Sequence, residues 1–232
     1  MSTESMVAGA RPGVGPAGQP GQAGQPGGIR LLLADDQALV RGALATLLSL
    51  EADLTVVAQV GTGQEAVEAV EGGGVDVALL DIEMPQGDGL WAAGRIAAMR
   101  AAGRTGCRSL IVTTFGRPGY LSRAIETGAS GFLVKDTPPA ELAEAIRKVH
   151  AGLRVIDPAL AQESVLLGPN PLTSRECEVL RLAGRGMDAP RIAGELHLGE
   201  GTVRNYLSSA IAKTHARNRV EAARTAETNG WL

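Results

Sequence analysis

The first part of the chain alternates short apolar runs with helical repeats of apolar side chains. Five runs have the length of a buried strand and cover residues 29–34, 54–57, 77–80, 110–112 and 131–134. Between the runs, apolar residues recur at intervals of three or four positions, which is the spacing of one helix face. Five strand–helix units with short connections predict an α/β doubly wound fold, in which a five-stranded parallel sheet carries helices on both faces.

Polar side chains follow four of these predicted strands. Asp35 and Asp36 come after the first strand, Asp81 after the third, Thr113 after the fourth and Lys135 after the fifth. One Asp at a strand end is often only the cap of the next helix. Because the carboxyl ends of parallel strands share one edge of the sheet, where ligands bind in such folds, the four ends together predict a functional site.

From residue 172 onward the pattern is helical throughout. Thr173 and Glu176 have the spacing of a capping box at the start of a helix. Two later helices are joined by a tight turn at His197–Gly199, and the second of them runs from Glu200 to about Lys213. This arrangement predicts a helix-turn-helix, although a plain helical bundle would show the same periodicity.

Two stretches show neither the strand pattern nor the helical spacing. Residues 1–28 are rich in Gly, Pro, Gln and Ala, a composition that cannot bury a core and predicts a disordered tail. Residues 152–171 contain three prolines and two glycines and are predicted to be a linker. The chain is therefore divided into a tail at 1–28, an α/β domain at 29–151, a linker at 152–171 and a helical domain at 172–232.

Composition describes an ordinary globular protein, with 44% hydrophobic residues and a net charge of −3 over 232 residues. No apolar run approaches the roughly 18 residues of a membrane span, and no signal peptide is recognisable, so we expect a cytoplasmic protein without a membrane partner. Cys107 and Cys177 are isolated and lack metal-ligand spacing, which predicts idle or buried thiols.

One glycine pattern allows a different interpretation of the first domain. Gly61-x-Gly63-x-x-Ala66 follows a strand and opens a helix, and Asp81 lies 20 residues after Gly61, as in a dinucleotide-binding fingerprint. That interpretation predicts a nucleotide-dependent oxidoreductase. It places the motif after the second strand, where the fingerprint belongs after the first, and gives no role to Lys135. We therefore do not favour the oxidoreductase, and we expect a protein that is not an enzyme.

The motifs together resemble a known regulator family. Residues 29–151 resemble the receiver domain of two-component response regulators, in the acid pair, Thr113, Lys135 and the string Asp81-x-x-Met84-Pro85-x-x-Asp88-Gly89. The helical domain resembles the LuxR-type DNA-binding domain in the strings Leu172-Thr173-x-Arg175-Glu176, Glu200-Gly201-Thr202-Val203-Arg204-Asn205 and Arg217-Asn218-Arg219. The whole chain is similar to the NarL/FixJ family, which implies a flavodoxin-like receiver followed by a small all-α domain.

The resemblance implies a phosphoryl chemistry for the first domain. Asp81 would accept a phosphoryl group from a separate sensor histidine kinase. Asp36, Asp81 and the backbone carbonyl of Glu83 would be direct Mg²⁺ ligands, with Asp35 acting through water. Lys135 would pair with the phosphoryl oxygens, since it supplies a point charge.

The resemblance also implies a switch in the receiver. Once a phosphoryl group is present, Thr113 would move to bond it, and Phe132 would turn inward into the vacated space. Activation would then act through dimerisation or through release of the helix-turn-helix, and the homodimer would bind double-stranded promoter DNA as a transcription factor. A binding module that needs no phosphorylation remains an alternative.

The helix from Glu200 carries the expected DNA contacts. Thr202, Arg204, Asn205 and Ser208 lie off the apolar stripe of that helix, so their side chains are left to water or DNA. Three departures from the family pattern, at Gly199, Tyr206 and residues 188–190, predict weaker or altered contacts. From residue 171 onward, nine Arg and Lys stand against seven acids, which permits DNA binding without indicating it.

Overall fold

The protein is described by a computed structural model over residues 28–114 and 116–232. The predicted tail, up to residue 27, lies outside these residues. Six parallel strands form one sheet in the order β2-β1-β3-β4-β5-β6. Their bounds are Ile29–Ala34 (β1), Leu54–Val60 (β2), Val77–Leu80 (β3), Arg108–Thr113 (β4), Gly131–Val134 (β5) and Val155–Ile156 (β6).

Five helices cover the two faces of the sheet, which confirms the predicted doubly wound α/β fold. They are Ala38–Leu48 (α1), Gly63–Glu71 (α2), Gly89–Ala101 (α3), Pro118–Glu126 (α4) and Pro139–His150 (α5). Side chains alternate along β1, so that Leu32 joins an apolar core with α2, α3 and α4. Leu31 and Leu33 join a second core with α1 and α5. Strand order reverses between β1 and β3, which places the ligand-binding edge next to Asp35 and Asp81.

The stretch predicted as a linker contains regular structure. It holds β6, which extends the predicted five-stranded sheet to six, and helix α6 at Pro158–Leu167. A strand of two residues is too short to produce a sequence pattern. Asp157 caps α6 by accepting hydrogen bonds from the N–H groups of Ala159 and Leu160. Leu160 is buried in the core that also holds Phe132, so α6 packs as part of the first domain.

Four helices form the second domain, with bounds Ser174–Gly184 (α7), Ala189–Leu196 (α8), Glu200–Lys213 (α9) and Arg219–Thr228 (α10). The predicted capping box is present, because Thr173 accepts from the Glu176 N–H and the Glu176 carboxylate accepts from the Thr173 N–H. His197 ends α8 in the left-handed conformation, with φ of 53°. The resulting turn joins α8 to α9 as the helix-turn-helix pattern predicts.

Both cysteines are buried free thiols, as expected from their isolation in the sequence. Burial raises the pKa of the Cys107 thiol to about 12. Burial also raises the pKa of Cys177. Neither thiol is therefore ionised near neutral pH.

No helix within residues 28–114 and 116–232 is both long enough and apolar enough to cross a bilayer.

Candidate functional site

The ends of four strands bring the predicted residues of the first domain together. Asp35 follows β1, Asp81 follows β3, Thr113 is the last residue of β4 and Lys135 follows β5. The register between neighbouring strands sets how far along the sheet each residue lies. The Asp81 N–H donates to the Ala34 carbonyl at 2.8 Å, and the Lys135 N–H donates to the Thr113 carbonyl at 2.8 Å. The four side chains therefore share one edge of the sheet.

Three carboxylates converge at this edge. One oxygen from each of Asp35, Asp36 and Asp81 lies within 4.8 Å of the others. Asp35 and Asp81 are buried and Asp36 is exposed, so the cluster opens to solvent on one side. Hard oxygen donors in such a group suit Mg²⁺, which keeps several waters and needs few protein ligands.

Lys135 supplies a positive charge to the cluster. Its Nζ lies 2.7 Å from Asp35 Oδ2 and 3.3 Å from Asp81 Oδ2. Burial raises the pKa of Asp81 above its ordinary value, Lys135 opposes the rise, and repulsion from Asp35 adds to it. One ammonium against three carboxylates leaves an excess of negative charge, so the site favours a further cation.

Two hydrogen bonds from residues that follow it in the chain hold Asp35 in position. Its Oδ1 accepts from the Gln37 N–H at 2.9 Å. The guanidinium of Arg41, on α1, donates to the Asp35 carbonyl oxygen. Sequence reasoning missed Arg41, although a basic residue one turn into the helix after the acid pair was a signal that could have found it.

The loop after Asp81 is packed too tightly for side chains at its glycines. A Cβ on Gly89 would lie 1.9 Å from the Asp81 carbonyl oxygen. The Gly89 N–H donates to the Ile82 carbonyl at 3.0 Å, which folds the loop back over the end of β3. Glu83, whose carbonyl the resemblance assigns to the metal, lies in this loop with an exposed side chain.

The same loop explains the glycine pattern that suggested dinucleotide binding. A Cβ on Gly63 would lie 1.9 Å from the Gly87 carbonyl oxygen. At the start of α2, the N–H groups of Gly63 and Gln64 donate to the carbonyls of Pro85 and Gln86 at 3.3 and 2.9 Å. A bound pyrophosphate would need the same N–H groups as hydrogen-bond donors, and they are already used within the protein. The glycine therefore serves loop packing, which opposes the oxidoreductase interpretation.

Phe132 is already buried, with 1% of its surface exposed. The resemblance implied that this ring turns inward only after phosphorylation. The segment after β6 is bonded to the Phe132 backbone, because the Asp157 N–H donates to the Phe132 carbonyl at 3.2 Å. Leu160 lies against Gly116, where a Cβ would come within 2.4 Å of its Cδ2. The inward position of Phe132 accordingly accompanies docking of α6.

The predicted DNA contacts lie together on one exposed face of α9. Thr202, Arg204, Asn205 and Ser208 are all exposed, while the opposite face of the helix packs into the core of the second domain. Arg204 Nη2 donates to Glu200 Oε2 at 3.0 Å, a pair that sequence reasoning did not predict.

The departures from the family pattern have structural consequences at the helix starts. Gly199 caps α9 without a side-chain hydrogen bond. Asp188 caps α8 by accepting from the Arg191 N–H at 3.1 Å. The acid at residue 188 thus has a local structural role.

A third buried carboxylate, Glu176, lies inside the helical domain. Glu176 accepts hydrogen bonds from Lys213 Nζ at 2.7 Å, Ser209 Oγ at 2.5 Å and the Thr173 N–H at 2.6 Å. Burial works to raise its pKa, but the donors from Lys213, Ser209 and Thr173 outweigh it and lower the pKa to about 2. This carboxylate joins α7 to α9 and holds the exposed face of α9 in position.

Comparison with known proteins assigns both domains. Residues 31–147 match the family of response regulator receiver domains, and residues 170–226 match bacterial regulatory proteins of the luxR family. An uncharacterized transcriptional regulatory protein of Bacillus subtilis, YvfU, is 47% identical over 206 residues, which are 88% of this chain and 100% of that protein. The transcriptional regulatory protein DesR of the same organism is 45% identical over 204 residues, covering 88% and 99%.

A solved structure that contains both domains supports the same assignment. The crystal structure of the response regulator ChrA, from a heme-sensing two-component system, is 32% identical and superposes with a TM-score of 0.53. It covers 89% of this chain and 100% of its own. The chain therefore belongs to the two-component response regulators of the NarL/FixJ family, transcription regulators in which a receiver domain precedes a LuxR-type DNA-binding domain.

Proposed function

We propose that Asp81 accepts a phosphoryl group from a sensor histidine kinase and that the modified chain binds promoter DNA. The observation that carries this proposal is the convergence of Asp81, two further carboxylates and Lys135 at one sheet edge. Asp81 Oδ would attack phosphorus while the phosphorus–nitrogen bond of the kinase phosphohistidine breaks. The imidazole leaves with the electron pair of that bond, and Asp81 becomes an acyl phosphate.

The acid trio fits Mg²⁺ because its oxygens are close enough for one ion to reach all three. Asp36 and Asp81 would hold the ion directly, together with the carbonyl of Glu83, and Asp35 would act through water. When bound, Mg²⁺ neutralises charge on the phosphoryl oxygens. Asp35 is buried, and its Oδ1 accepts from the Gln37 N–H at 2.9 Å.

Lys135 and Thr113 would recognise the phosphoryl group after transfer. Lys135 Nζ already lies 3.3 Å from Asp81 Oδ2, so it can pair with a phosphoryl oxygen after a small movement. Thr113, buried at the end of β4, can donate its hydroxyl to a second oxygen. Such contacts exist only in the modified state, and they would bias the switch formed by Thr113 and Phe132.

The output would be DNA binding by a homodimer. The face of α9 formed by Thr202, Arg204, Asn205 and Ser208 has the geometry of a recognition surface, with polar side chains exposed on a helix held from behind by Glu176. Two such helices in a dimer would contact half-sites about one helical turn apart.

Beryllofluoride, a phosphoryl mimic, tests the proposal on the full chain. We expect beryllofluoride with Mg²⁺ to increase both dimerisation and protection of promoter DNA in genomic footprinting. Equal footprints with and without the mimic would favour a binding module that does not depend on phosphorylation.

A further inference from the structure

Every polar group of Asp35 has a partner in the structure. Its N–H donates to the Val60 carbonyl at 3.2 Å, which continues the pairing of β1 with β2. Its carbonyl accepts from the guanidinium of Arg41, near the start of α1. Its two carboxylate oxygens contact the Gln37 N–H and Lys135 Nζ. The acid is therefore held by one strand, one helix and one ammonium.

The bond from Arg41 differs from the contact with Lys135 in the group that it uses. Lys135 contacts a carboxylate oxygen, so movement of that oxygen toward a metal ion would change the contact. Arg41 donates to the backbone of Asp35, so this bond can persist while the carboxylate turns. A charged donor also makes a stronger hydrogen bond than a neutral one.

The turn that Arg41 bonds lacks the usual support of a helix start. Gln37, at the N-cap of α1, makes no side-chain cap hydrogen bond, and the first turn of the helix contains no acidic residue. Such a cap stabilises a helix start by about 0.5–2 kcal/mol. The turn from Asp35 into α1 therefore depends on the bond between Asp35 and Gln37 and on the bond from Arg41.

Arg41 also borders the loop between β2 and α2. A Cβ on Gly61 would lie 3.7 Å from Arg41 Nη1, and the Gly61 N–H donates to Glu65 Oε2 at 3.0 Å. The start of α2 in turn donates to carbonyls of the loop after Asp81. A series of contacts therefore runs from the acid pair through Arg41 and α2 to the loop that contains Glu83.

The position and the charge of Arg41 predict opposite effects on metal binding. Arg41 and Asp81 line the same small cavity, about 10 Å³ in volume, whose lining is otherwise mostly apolar. Loss of a positive charge at this place would leave the carboxylates with a larger excess of negative charge, which favours a cation. Loss of the bond to the Asp35 carbonyl would instead free the turn that presents the acids. The sign of the change in affinity therefore separates the two roles.

We propose that Arg41 is a positioning residue for Mg²⁺, whose guanidinium holds the Asp35 carbonyl so that Asp35 and Asp36 face Asp81 before the ion binds. In this role Arg41 touches neither the ion nor the phosphoryl group. Groups that orient metal ligands contribute about 10- to 100-fold to metal affinity. The inference rests on the proposed function, because it concerns the Mg²⁺ site of that function.

Titration of the full chain with Mg²⁺ by isothermal titration calorimetry tests the role. Arg41→Met removes the guanidinium and keeps an unbranched aliphatic side chain. Arg95→Met is the matched control, since Arg95 is an exposed arginine of α3 in the same domain. Arg41→Lys keeps the charge but replaces the planar fork of donors by a point donor. The melting temperature of each protein without Mg²⁺ shows whether it is folded.

We expect Arg41→Met to raise the Kd for Mg²⁺ by about tenfold. Arg95→Met should leave the Kd unchanged, and Arg41→Lys should give an intermediate value. Phosphorylation of Arg41→Met by acetyl phosphate should need more Mg²⁺ for its half-maximal rate. The rate at saturating Mg²⁺ should stay at the wild-type value, because the bound ion itself holds the acids together.

The outcomes separate the positioning role from the proposed function. An unchanged or lower Kd in Arg41→Met would refute the role and leave the metal site intact, and so would an equal rise in Arg95→Met. If Arg41→Met does not fold, Arg41→Lys decides: a raised Kd supports the role and an unchanged Kd refutes it. If the wild-type chain binds no Mg²⁺, the metal site of the proposed function fails and the role of Arg41 fails with it.

Discussion

The receiver and the DNA-binding domain each contain a buried carboxylate close to a lysine, with opposite outcomes. Asp81 lies 3.3 Å from Lys135, yet burial, with repulsion from Asp35 adding to it, raises its pKa. Glu176 lies 2.7 Å from Lys213 and has a pKa of about 2, even though burial opposes the shift. Two things differ: Asp81 is more strongly desolvated and is repelled by Asp35, whereas Glu176 accepts hydrogen bonds from Ser209 and Thr173 as well as Lys213.

A buried charge with all its donors present stabilises a fold, whereas one with too few donors is ready to bind something else. Asp35 and Asp81 share a single ammonium at the sheet edge, with exposed Asp36 beside them. Glu176 has a lysine, a hydroxyl and a backbone N–H to itself. This contrast separates the functional site from the structural one without reference to any relative.

Asp81→Asn should have the largest effect, which is complete loss of phosphoryl acceptance. The melting temperature without Mg²⁺ should stay equal or rise, because the substitution removes a buried charge whose pKa is raised, and Lys135 keeps Asp35 at 2.7 Å. Phosphorylation is followed by mobility shift on a phosphate-binding gel. Transfer at the wild-type rate in this variant would refute the assignment of Asp81.

Glu176→Gln should have the opposite pattern, a loss of stability without a loss of phosphorylation. We expect unchanged phosphorylation and a loss of about 1–3 kcal/mol in the free energy of unfolding, since the buried carboxylate loses its charge-assisted hydrogen bonds and the partly exposed Lys213 loses its partner. Denaturant unfolding of the helical domain measures the loss.

The same variant has a defined pH dependence. The pKa of Glu176 is lowered on folding, so its stabilisation is complete above the unfolded value of 4.5 and is lost as pH falls toward about 2. The stability difference between wild type and Glu176→Gln should therefore shrink below pH 4.5. A constant difference down to pH 3 would contradict the assigned ion pair.

Arg204 and Glu200 form an exposed pair, which extends the comparison to the surface. Arg204→Ala should change the unfolding free energy little, but it should weaken DNA binding by about 1–3 kcal/mol. Glu200→Gln is the matched control and should strengthen binding, because it frees the guanidinium from a competing carboxylate. Both are measured at fixed salt on specific and random DNA, and unchanged affinity of Arg204→Ala for both would exclude α9 as the recognition helix.

Deletion of residues 1–27 should have the smallest effect. Their composition offers almost no apolar surface to a core, so the melting temperature and the phosphorylation rate should both stay at the wild-type values. A fall of several degrees would show that the segment packs on the receiver.

The sequence predicted those structural features whose pattern is local or repeats along one helix or strand. The polar residues at four strand ends, the capping box at Thr173 and the apolar stripe of α9 each depend on neighbours in the chain. Resemblance then added the chemistry at Asp81 and Lys135, which periodicity alone leaves open.

Most of the features that sequence did not predict join distant segments or are too short to repeat. Lys213 is 37 residues from Glu176, and Arg117 Nη1 donates to the Glu227 carbonyl, 110 residues away. Strand β6 has two residues and gives no alternation to detect. Phe132 shares its apolar core with Leu160 of α6, which could not be foreseen from a segment interpreted as a linker.

The position of Leu160 also matters for engineers who exchange output domains between regulators. Its side chain fills the space above Gly116 and completes the receiver core, so a fusion joined at residue 151 would leave that space to an unrelated side chain. A junction after Gly168 would carry β6 and α6 with the receiver that they complete. Exchange of the output domain in this chain therefore starts one helix after the end of the receiver match at residue 147.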